Sequence, residues 1–323
     1  MGVVRNEHER VIEAPAAVVG ALIDRLSAAD DPLFPTPAWD PMIFDGPLAV
    51  GASGGHGPVR YRVTAYEPGH RVRFDFNEPD NGFHEISVEP LGERRCRLRH
   101  VLETVPRGRE RLLWPTVIRP LHDTIVEEVF DNAERAAVGR CAHPTRWSRW
   151  VRLLNALDWG RPETTPVPEG ARLLRGALDR PAYQDAYRMP MLPGLPRDPR
   201  AWYPMLRSAF PELGCADGEL LLQVDIAGLT ARASILVDDD HITLSTYARP
   251  DTRRGRLYWG VVRLGHPFMA RLMLRRTHRA FALAAPSAGE REAARAVSCP
   301  SHFVSVGMDE GADPVGLTRD RER

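Results

Sequence analysis

The sequence predicts an α+β protein with two antiparallel sheet units in tandem, each ending in a long helix. Its 323 residues are about twice the length of a typical domain. Short segments of strand-like alternation recur between turn residues in both halves. Each half then closes with a long segment in which apolar residues repeat with helical spacing.

Residues 1–145 form the first predicted domain. Residues 3–13 alternate loosely, as in a strand, and Pro15 suits the first turn of a helix over residues 16–26, where a missing N–H costs nothing. Turn residues then separate a series of strands, which predicts an antiparallel meander. The predicted strands are 59–66, 72–76, 84–89 and 96–104.

From 110 to 140, apolar residues recur every four positions, which predicts a long amphipathic helix with kinks at Pro115 and Pro120. Acidic residues occupy the other faces of this helix. They are Asp123, Glu127, Glu128, Asp131 and Glu134.

Residues 146–182 are predicted as a linker, rich in proline after a short amphipathic helix. The second domain, 183–284, repeats the plan with a strand at 185–189, a helix from Asp198 to about Phe210, further strands and a helix from about 255 to 283. The further strands are 220–225, 230–237 and 241–247. Residues 285–323 are predicted as a polar tail with a weak helix at 288–297 and disorder after Met308.

Composition excludes several kinds of chemistry. Lys plus Arg and Asp plus Glu are both 43, which argues against a broad nucleic-acid surface. The sequence contains no lysine, so Schiff-base, phosphate-loop and kinase lysines are absent. The cysteines Cys96, Cys141, Cys215 and Cys299 are far apart, which excludes a zinc ribbon or a redox pair.

No signal peptide is expected, since no apolar stretch follows the first residues. The most apolar long window, 258–274, is interrupted by Arg263, His266 and Arg271, so stable membrane insertion is not expected either. These features predict a cytoplasmic protein.

The order of strand, short helix, meander and long helix resembles the START-like SRPBCC superfamily, which includes polyketide cyclase/dehydrase-like proteins. The residues that carry the resemblance are the opening strand and the segment Ala14–Val19. The resemblance implies a helix-grip fold, in which a curved sheet wraps a long helix around a small-molecule cavity.

The second half resembles a bacterial domain of unknown function that is often fused behind epimerase-like NAD-binding domains. The residues that carry this are 241–246, 255–262 and His266. This chain lacks the nucleotide-binding half. The resemblance implies a second helix-grip domain, and so two tandem helix-grip domains in all.

The segment Gly51–Gly55 matches the Gly-x-Ser-x-Gly pattern, but a strand rather than a helix follows it, so a flexible loop is favoured over a hydrolase elbow. No dinucleotide motif is present, and no cofactor is expected. No pair of histidines has the spacing of a zinc protease, so no metal site is expected.

Two strand histidines, His84 and His100, are candidates for an acid–base or hydrogen-bonding pair if they share the inner face of the sheet. The alternative is that one or both face solvent. Tyr61, Phe74 and Phe76 lie at alternating strand positions and line either a pocket or an ordinary core.

In the second half, Tyr247, Tyr258 and His266 are expected to meet near the start of the last helix. Met269 and Met273 share a helical face with Tyr258 and His266 and suit an adaptable ligand-binding cavity or a plain core.

The favoured function is binding of a hydrophobic small molecule, such as a lipid or polyketide-like compound, in helix-grip cavities. A cyclase or dehydratase that uses cavity His, Tyr or Asp groups is one alternative. A structural or interaction module without an open cavity, in which the segment 147–154 docks the halves or a partner, is another.

Overall fold

The computed structural model describes residues 2–78, 81–206 and 210–298, and it contains two antiparallel sheets, each followed by a long helix. The first half has a seven-stranded sheet in the order β1-β7-β6-β5-β4-β3-β2, so that its first strand lies beside its last. Its elements are β1 (Val4–Ile12), α1 (Ala16–Ile23), β2 (Ile43–Phe44), β3 (Ser53–His56), β4 (Val59–Glu67), β5 (Arg71–Phe76), β6 (Gly82–Gly92), β7 (Arg95–Thr104), α2 (Glu110–Leu113) and α3 (Arg119–Val138).

A π-helical turn, Trp114–Ile118, joins α2 to α3. Pro115 lies within it and Pro120 is the second residue of α3; each lacks the N–H that a regular helix would use, which explains the irregular start.

The core of the first half lies between the inner face of the sheet and the helices. Val72 and Phe74 alternate into it from β5, while Val19 of α1 and Phe130 of α3 close it from the other side, and all four are buried. Complete burial of each such side chain stabilises the fold by about 1.5–3 kcal/mol.

The second half has a six-stranded sheet in the order β10-β11-β12-β13-β9-β8. Helix α4 (Arg149–Asp158) precedes it, and α7 (Ala288–Ser298) follows it. Its own elements are β8 (Glu163–Thr164), α5 (Arg172–Ala177), β9 (Tyr183–Pro190), a 3-10 helix (Pro199–Leu206), β10 (Glu212–Ala216), β11 (Glu219–Ile226), β12 (Leu229–Val237), β13 (His241–Pro250) and α6 (Arg253–Ala284).

The segment 146–182 is more structured than the predicted linker. Helix α4 packs against α3, β8 pairs with β9, and α5 covers one face of the second sheet through Leu174 and Leu178. None of the described helices has an apolar stretch of membrane-spanning length.

The segment 285–323 begins with α7, which packs against α3 of the first half. Residues 299–323, which include Cys299 and the segment after Met308, lie outside the described residues.

Candidate functional site

A ladder of polar side chains joins β1 to α3. The strand contributes every second residue and the helix every fourth. Two strand residues span about 6.7 Å and four helix residues about 6 Å, so the two periods stay nearly in register. The rungs are Asn6 with Asp123, His8 with Glu127, and Arg10 with Asp131. Three acidic residues that the sequence assigned to other helix faces therefore turn toward the sheet.

His8 is held between two carboxylates. Its Nδ1 lies 2.7 Å from Glu127 Oε1, and its Nε2 lies 3.2 Å from Asp123 Oδ1. Burial alone would lower the pKa of His8, but the hydrogen bonds to Asp123 and Glu127 outweigh it and raise the pKa to about 9. Burial alone would raise the pKa of Asp123. Contacts from His122, His8 and Asn6 outweigh burial and hold this pKa well below its usual range.

A row of aromatic rings, which we call the histidine row, crosses the inner face of the first sheet, reaches His122 of α3 and ends at His8 of β1. Ring centres are 4.8 Å apart for Tyr61 and His84, 5.6 Å for His84 and His100, and 5.1 Å for His100 and His122. The row arises because its strand members share the inner face of the sheet, on β3, β4, β6, β7 and β1, and His122 comes from the first turn of α3. In order, its members are His56, Tyr61, His84, His100, His122 and His8.

Four buried polar atoms of the row have no hydrogen-bond partner within the described part of the chain. They are Tyr61 Oη, His100 Nδ1 and both ring nitrogens of His122. Leaving a buried polar atom unpartnered costs about 1–3 kcal/mol. The row can therefore gain hydrogen bonds from a molecule placed against it.

Burial keeps most of the row neutral at pH 7. It lowers the pKa of His56 to about 4 and lowers the pKa values of His84, His100 and His122 as well. A neutral imidazole offers one donor and one acceptor. The row thus combines neutral rings with one charged ring, that of His8, at its end.

The structure brings all five predicted site residues of the first half together. His84 Nδ1 lies 3.4 Å from His100 Nε2, so one proton can be shared between the two rings. Phe74 and Phe76 stack on His84 with ring centres 4.8 and 5.7 Å away, and Tyr61 contacts His84 edge-on. Their roles in binding or catalysis remain predictions.

The second half contains a separate polar cluster around Asp185. Its Oδ2 accepts hydrogen bonds from Tyr183 at 2.7 Å and Tyr187 at 3.0 Å and lies 3.4 Å from His266 Nε2. Burial would raise the pKa of Asp185, but these contacts, that of His266 first, lower it instead. Of this cluster, sequence reasoning had singled out His266 alone.

Tyr247 and His266 lie on opposite faces of the second sheet. Thr246 Oγ1 is 3.2 Å from His266 Nε2, whereas Tyr247 packs with Ala171 and Leu174. The prediction that Tyr247 joins Tyr258 and His266 is therefore wrong, because successive strand residues point to opposite faces.

The buried face of α6 also differs from the predicted one. Tyr258 and Met269 are 36% and 48% exposed, whereas the next residues, Trp259 and Ala270, are buried. Met273 does pack against the core of the second half. The predicted face is thus shifted by about one residue relative to the observed one.

A cleft of about 410 Å³ lies between the two halves. Its polar groups are largely engaged already: His278 bonds to Trp159 and to the carbonyl of Pro190, and Arg291 reaches Thr36. Polar groups that already hydrogen-bond across an interface have fewer free positions with which to bond a ligand. The histidine row is therefore the stronger candidate site.

Sequence reasoning missed His8, His122 and Asp123 as members of one site. His8 and His122 are far apart along the chain, so no local motif joins them. The sequence did hold one signal: polar residues stand at every second position of β1, and acidic residues stand at every fourth position of α3.

No protein-family model matches this chain, and no curated protein matches it. Solved structures do show likeness. A protein from Thermobifida fusca is 18% identical, with 45% of this chain and 100% of that chain covered and a TM-score of 0.35.

Norcoclaurine synthase from Thalictrum flavum, solved with dopamine and hydroxybenzaldehyde, is 14% identical over 45% of this chain and 90% of that chain, with a TM-score of 0.34. The Zhui aromatase/cyclase from Streptomyces sp. R1128 is 18% identical over 45% of this chain and 100% of that chain, with a TM-score of 0.33. The bound molecules and the activities named here belong to those proteins.

Proposed function

We propose that the first half of the chain binds a small, largely apolar molecule, such as a lipid or polyketide-like compound, which places a polar group against the histidine row. The observation that carries this proposal is the set of unpartnered atoms on Tyr61, His100 and His122. The aromatic rings of Phe74 and Phe76 supply apolar surface beside them. Such a mixture is typical of small-molecule sites.

A carbonyl or hydroxyl suits the row better than a carboxylate, because burial keeps His84, His100 and His122 neutral. At the α3 end the His122 side chain is 17% exposed, although its ring nitrogens are buried. The π-helical turn Trp114–Ile118 lies just before α3, which carries His122, and the helix can deform at this turn.

We also propose that the second half is a helix-grip domain. In the first sheet, β1 pairs with β7, the strand before the long helical segment; in the second, β9 pairs with β13, the strand before α6. The two halves thus share one wrapping order, which supports the tandem arrangement.

Native mass spectrometry of the full chain, purified from its source organism, tests the binding proposal. We expect a retained small molecule that denaturation releases. Tyr61→Phe and His122→Phe keep an aromatic ring at each position but remove the unpartnered atoms, and each should weaken binding by roughly two- to tenfold, the value of about 0.5–1.5 kcal/mol per hydrogen bond. The matched control is His70→Gln, at an exposed histidine of the same half.

Equal retention by both variants would place the molecule elsewhere in the chain. If the native protein retains nothing and also shows no saturable binding of the fluorescent probe anilinonaphthalene sulfonate, the proposal fails.

A second candidate function is proton transfer, as in a cyclase or dehydratase. The observation that favours it is the 3.4 Å contact between His84 Nδ1 and His100 Nε2, across which one proton can be shared. Incubation of a retained molecule with fresh protein separates the functions: binding returns it unchanged, whereas a dehydratase returns it one water lighter.

A further inference from the structure

We propose that His8, His122 and Asp123 form a divalent-metal site, best suited to Zn²⁺, at the α3 end of the histidine row. One ligand atom from each residue lies within 4.8 Å of the others. Two histidines and one carboxylate are a ligand set that Zn²⁺ commonly takes. This inference goes beyond the proposed function, because a metal ion can bind there whether or not an organic molecule does.

The distances fit the edges of a coordination tetrahedron. With Zn–N and Zn–O bonds of about 2.0–2.2 Å, neighbouring ligand atoms lie about 3.3–3.6 Å apart. The Nε2 of His8 is 3.2 Å from Asp123 Oδ1, and the Nδ1 of His122 is 3.7 Å from the same oxygen. Small rotations of the side chains suffice to equalise them.

Neighbouring side chains already hold two of the ligands by hydrogen bonds. Glu127 Oε1 lies 2.7 Å from His8 Nδ1, the arrangement in which a carboxylate orients a metal-bound imidazole and makes it more basic. Asn6 donates to Asp123 Oδ1 at 2.9 Å and fixes that carboxylate. Arg10 holds the other oxygen of Glu127 at 2.8 Å.

The two nitrogens of His8 are already directed at carboxylates, Nδ1 at Glu127 and Nε2 at Asp123. A metal ion bound between Nε2 and Asp123 would take the place of the proton that otherwise bridges those two atoms. Neither ring nitrogen of His122 has a hydrogen-bond partner among the described residues, so one is free to complete the set.

The three ligand side chains are partly exposed, although both ring nitrogens of His122 are buried. The side chains of His8, His122 and Asp123 are 14%, 17% and 33% exposed. Three protein ligands with water in the fourth position is the pattern of catalytic rather than structural zinc. A metal ion bound there would polarise a carbonyl or a water molecule in its fourth position.

Titration of the chelator-treated full chain with Zn²⁺, followed by calorimetry, tests the proposal. We expect one ion to bind at this site, and Co²⁺ in its place should show the intense visible absorption of a four- or five-coordinate ion. His122→Phe and Asp123→Asn should each weaken Zn²⁺ binding by at least about a hundredfold, and Glu127→Gln by about 10–100-fold. Circular dichroism shows whether each variant folds.

Two controls separate this site from others. Tyr61→Phe, which tests the organic ligand, should leave the Zn²⁺ affinity unchanged, so failure of one proposal is distinguishable from failure of the other. Asp240→Asn alters the other possible metal-binding group among the described residues, Asp238 with Asp240 and His241, and should also have no effect. The proposal is overturned if the native chain binds no Zn²⁺, or if binding survives in folded Asp123→Asn and Glu127→Gln.

Discussion

At the scale of single residues, buried polar groups in this chain fall into two classes. His278 is fully engaged: its Nδ1 accepts from Trp159 at 3.2 Å, and its Nε2 donates to the carbonyl of Pro190 at 2.8 Å. Tyr61 is equally buried, yet its hydroxyl has no partner among the described residues. Buried polar groups that are hydrogen-bonded, such as His278, stabilise the fold. Buried polar groups without a partner, such as the Tyr61 hydroxyl, lower its stability but are available to bind a ligand.

Tyr61→Phe should therefore separate stability from function. Removing the unpartnered hydroxyl should raise the free energy of unfolding by about 1 kcal/mol, because an unpaired buried polar atom is lost. Urea denaturation measures this change, and Phe74→Leu, which removes core volume at a neighbouring buried ring, is the destabilising control. A large loss of stability in Tyr61→Phe would mean that the hydroxyl has a partner after all.

His278 should make stability depend on pH. Burial lowers the pKa of His278 in the folded chain, despite its hydrogen bond to Pro190. A histidine with a depressed folded pKa contributes stability that is present above its unfolded pKa and lost as the pH falls toward the folded value. As the pH falls from about 7.5 to about 5, the free energy of unfolding should decrease more in the native chain than in His278→Gln, because glutamine does not titrate.

Chemical denaturation at both pH values measures that difference. The other buried histidines titrate in both proteins and cancel in the comparison, and His70→Gln is the exposed control. Equal pH dependence in the native chain and in His278→Gln would contradict the assignment.

At the scale of elements, the polar ladder fixes β1 against α3. Its most buried rung is Asp131, whose side chain is 3% exposed and accepts from Arg10 at 2.6 Å and from the backbone N–H of Thr145 at 2.6 Å. Breaking a buried ion pair leaves an uncompensated charge, which costs far more than breaking a pair in water.

Asp131→Ala should lower the free energy of unfolding by about 3 kcal/mol. The matched control is Asp239→Ala, which removes an exposed pair with Arg197 at 2.9 Å and should cost less than about 1 kcal/mol. Equal effects in thermal or urea denaturation would show that the ladder adds nothing beyond surface pairing.

At the scale of the whole molecule, helices α4 and α7 both take part in joining the halves. Arg275 of α6 donates to carbonyls at the end of α4, including those of Ala156 and Trp159, and so connects the second half to a helix that packs on the first. Helix α7 then returns to α3, where Gly289 meets the backbone of Asn132. The predicted docking role of the segment 147–154 is compatible with the first joint.

Gly289→Ala should loosen the second joint. A Cβ at this position would lie 2.4 Å from the carbonyl oxygen of Asn132, so α7 must move away from α3. We expect faster proteolysis near the start of α7, measured by limited digestion. Gly265→Ala in α6, where a Cβ meets nothing within 4 Å, is the control and should stabilise its helix by up to about 1 kcal/mol. Unchanged digestion of Gly289→Ala would mean that α7 does not depend on this contact.

The sequence predicted the local elements better than the faces they present. Alternation around Phe74 and Phe76 places β5 within its observed bounds, and the antiparallel α+β class with long helices is confirmed. The face of α6 and the placement of Tyr247 were wrong, since a shift of one residue rotates a helix face or reverses a strand face.

By itself, the sequence determined most of the longer strands and helices, because periodicity and turn chemistry act between near neighbours along the chain; short elements such as β8 and α5 were not predicted. Only the tertiary structure decided that His8 lies beside Asp123 and that Tyr61 lacks a partner, because those facts depend on strand pairing and helix packing between distant segments. The ladder shows the reason: neither β1 nor α3 signals its partner until the sheet fixes their separation and register.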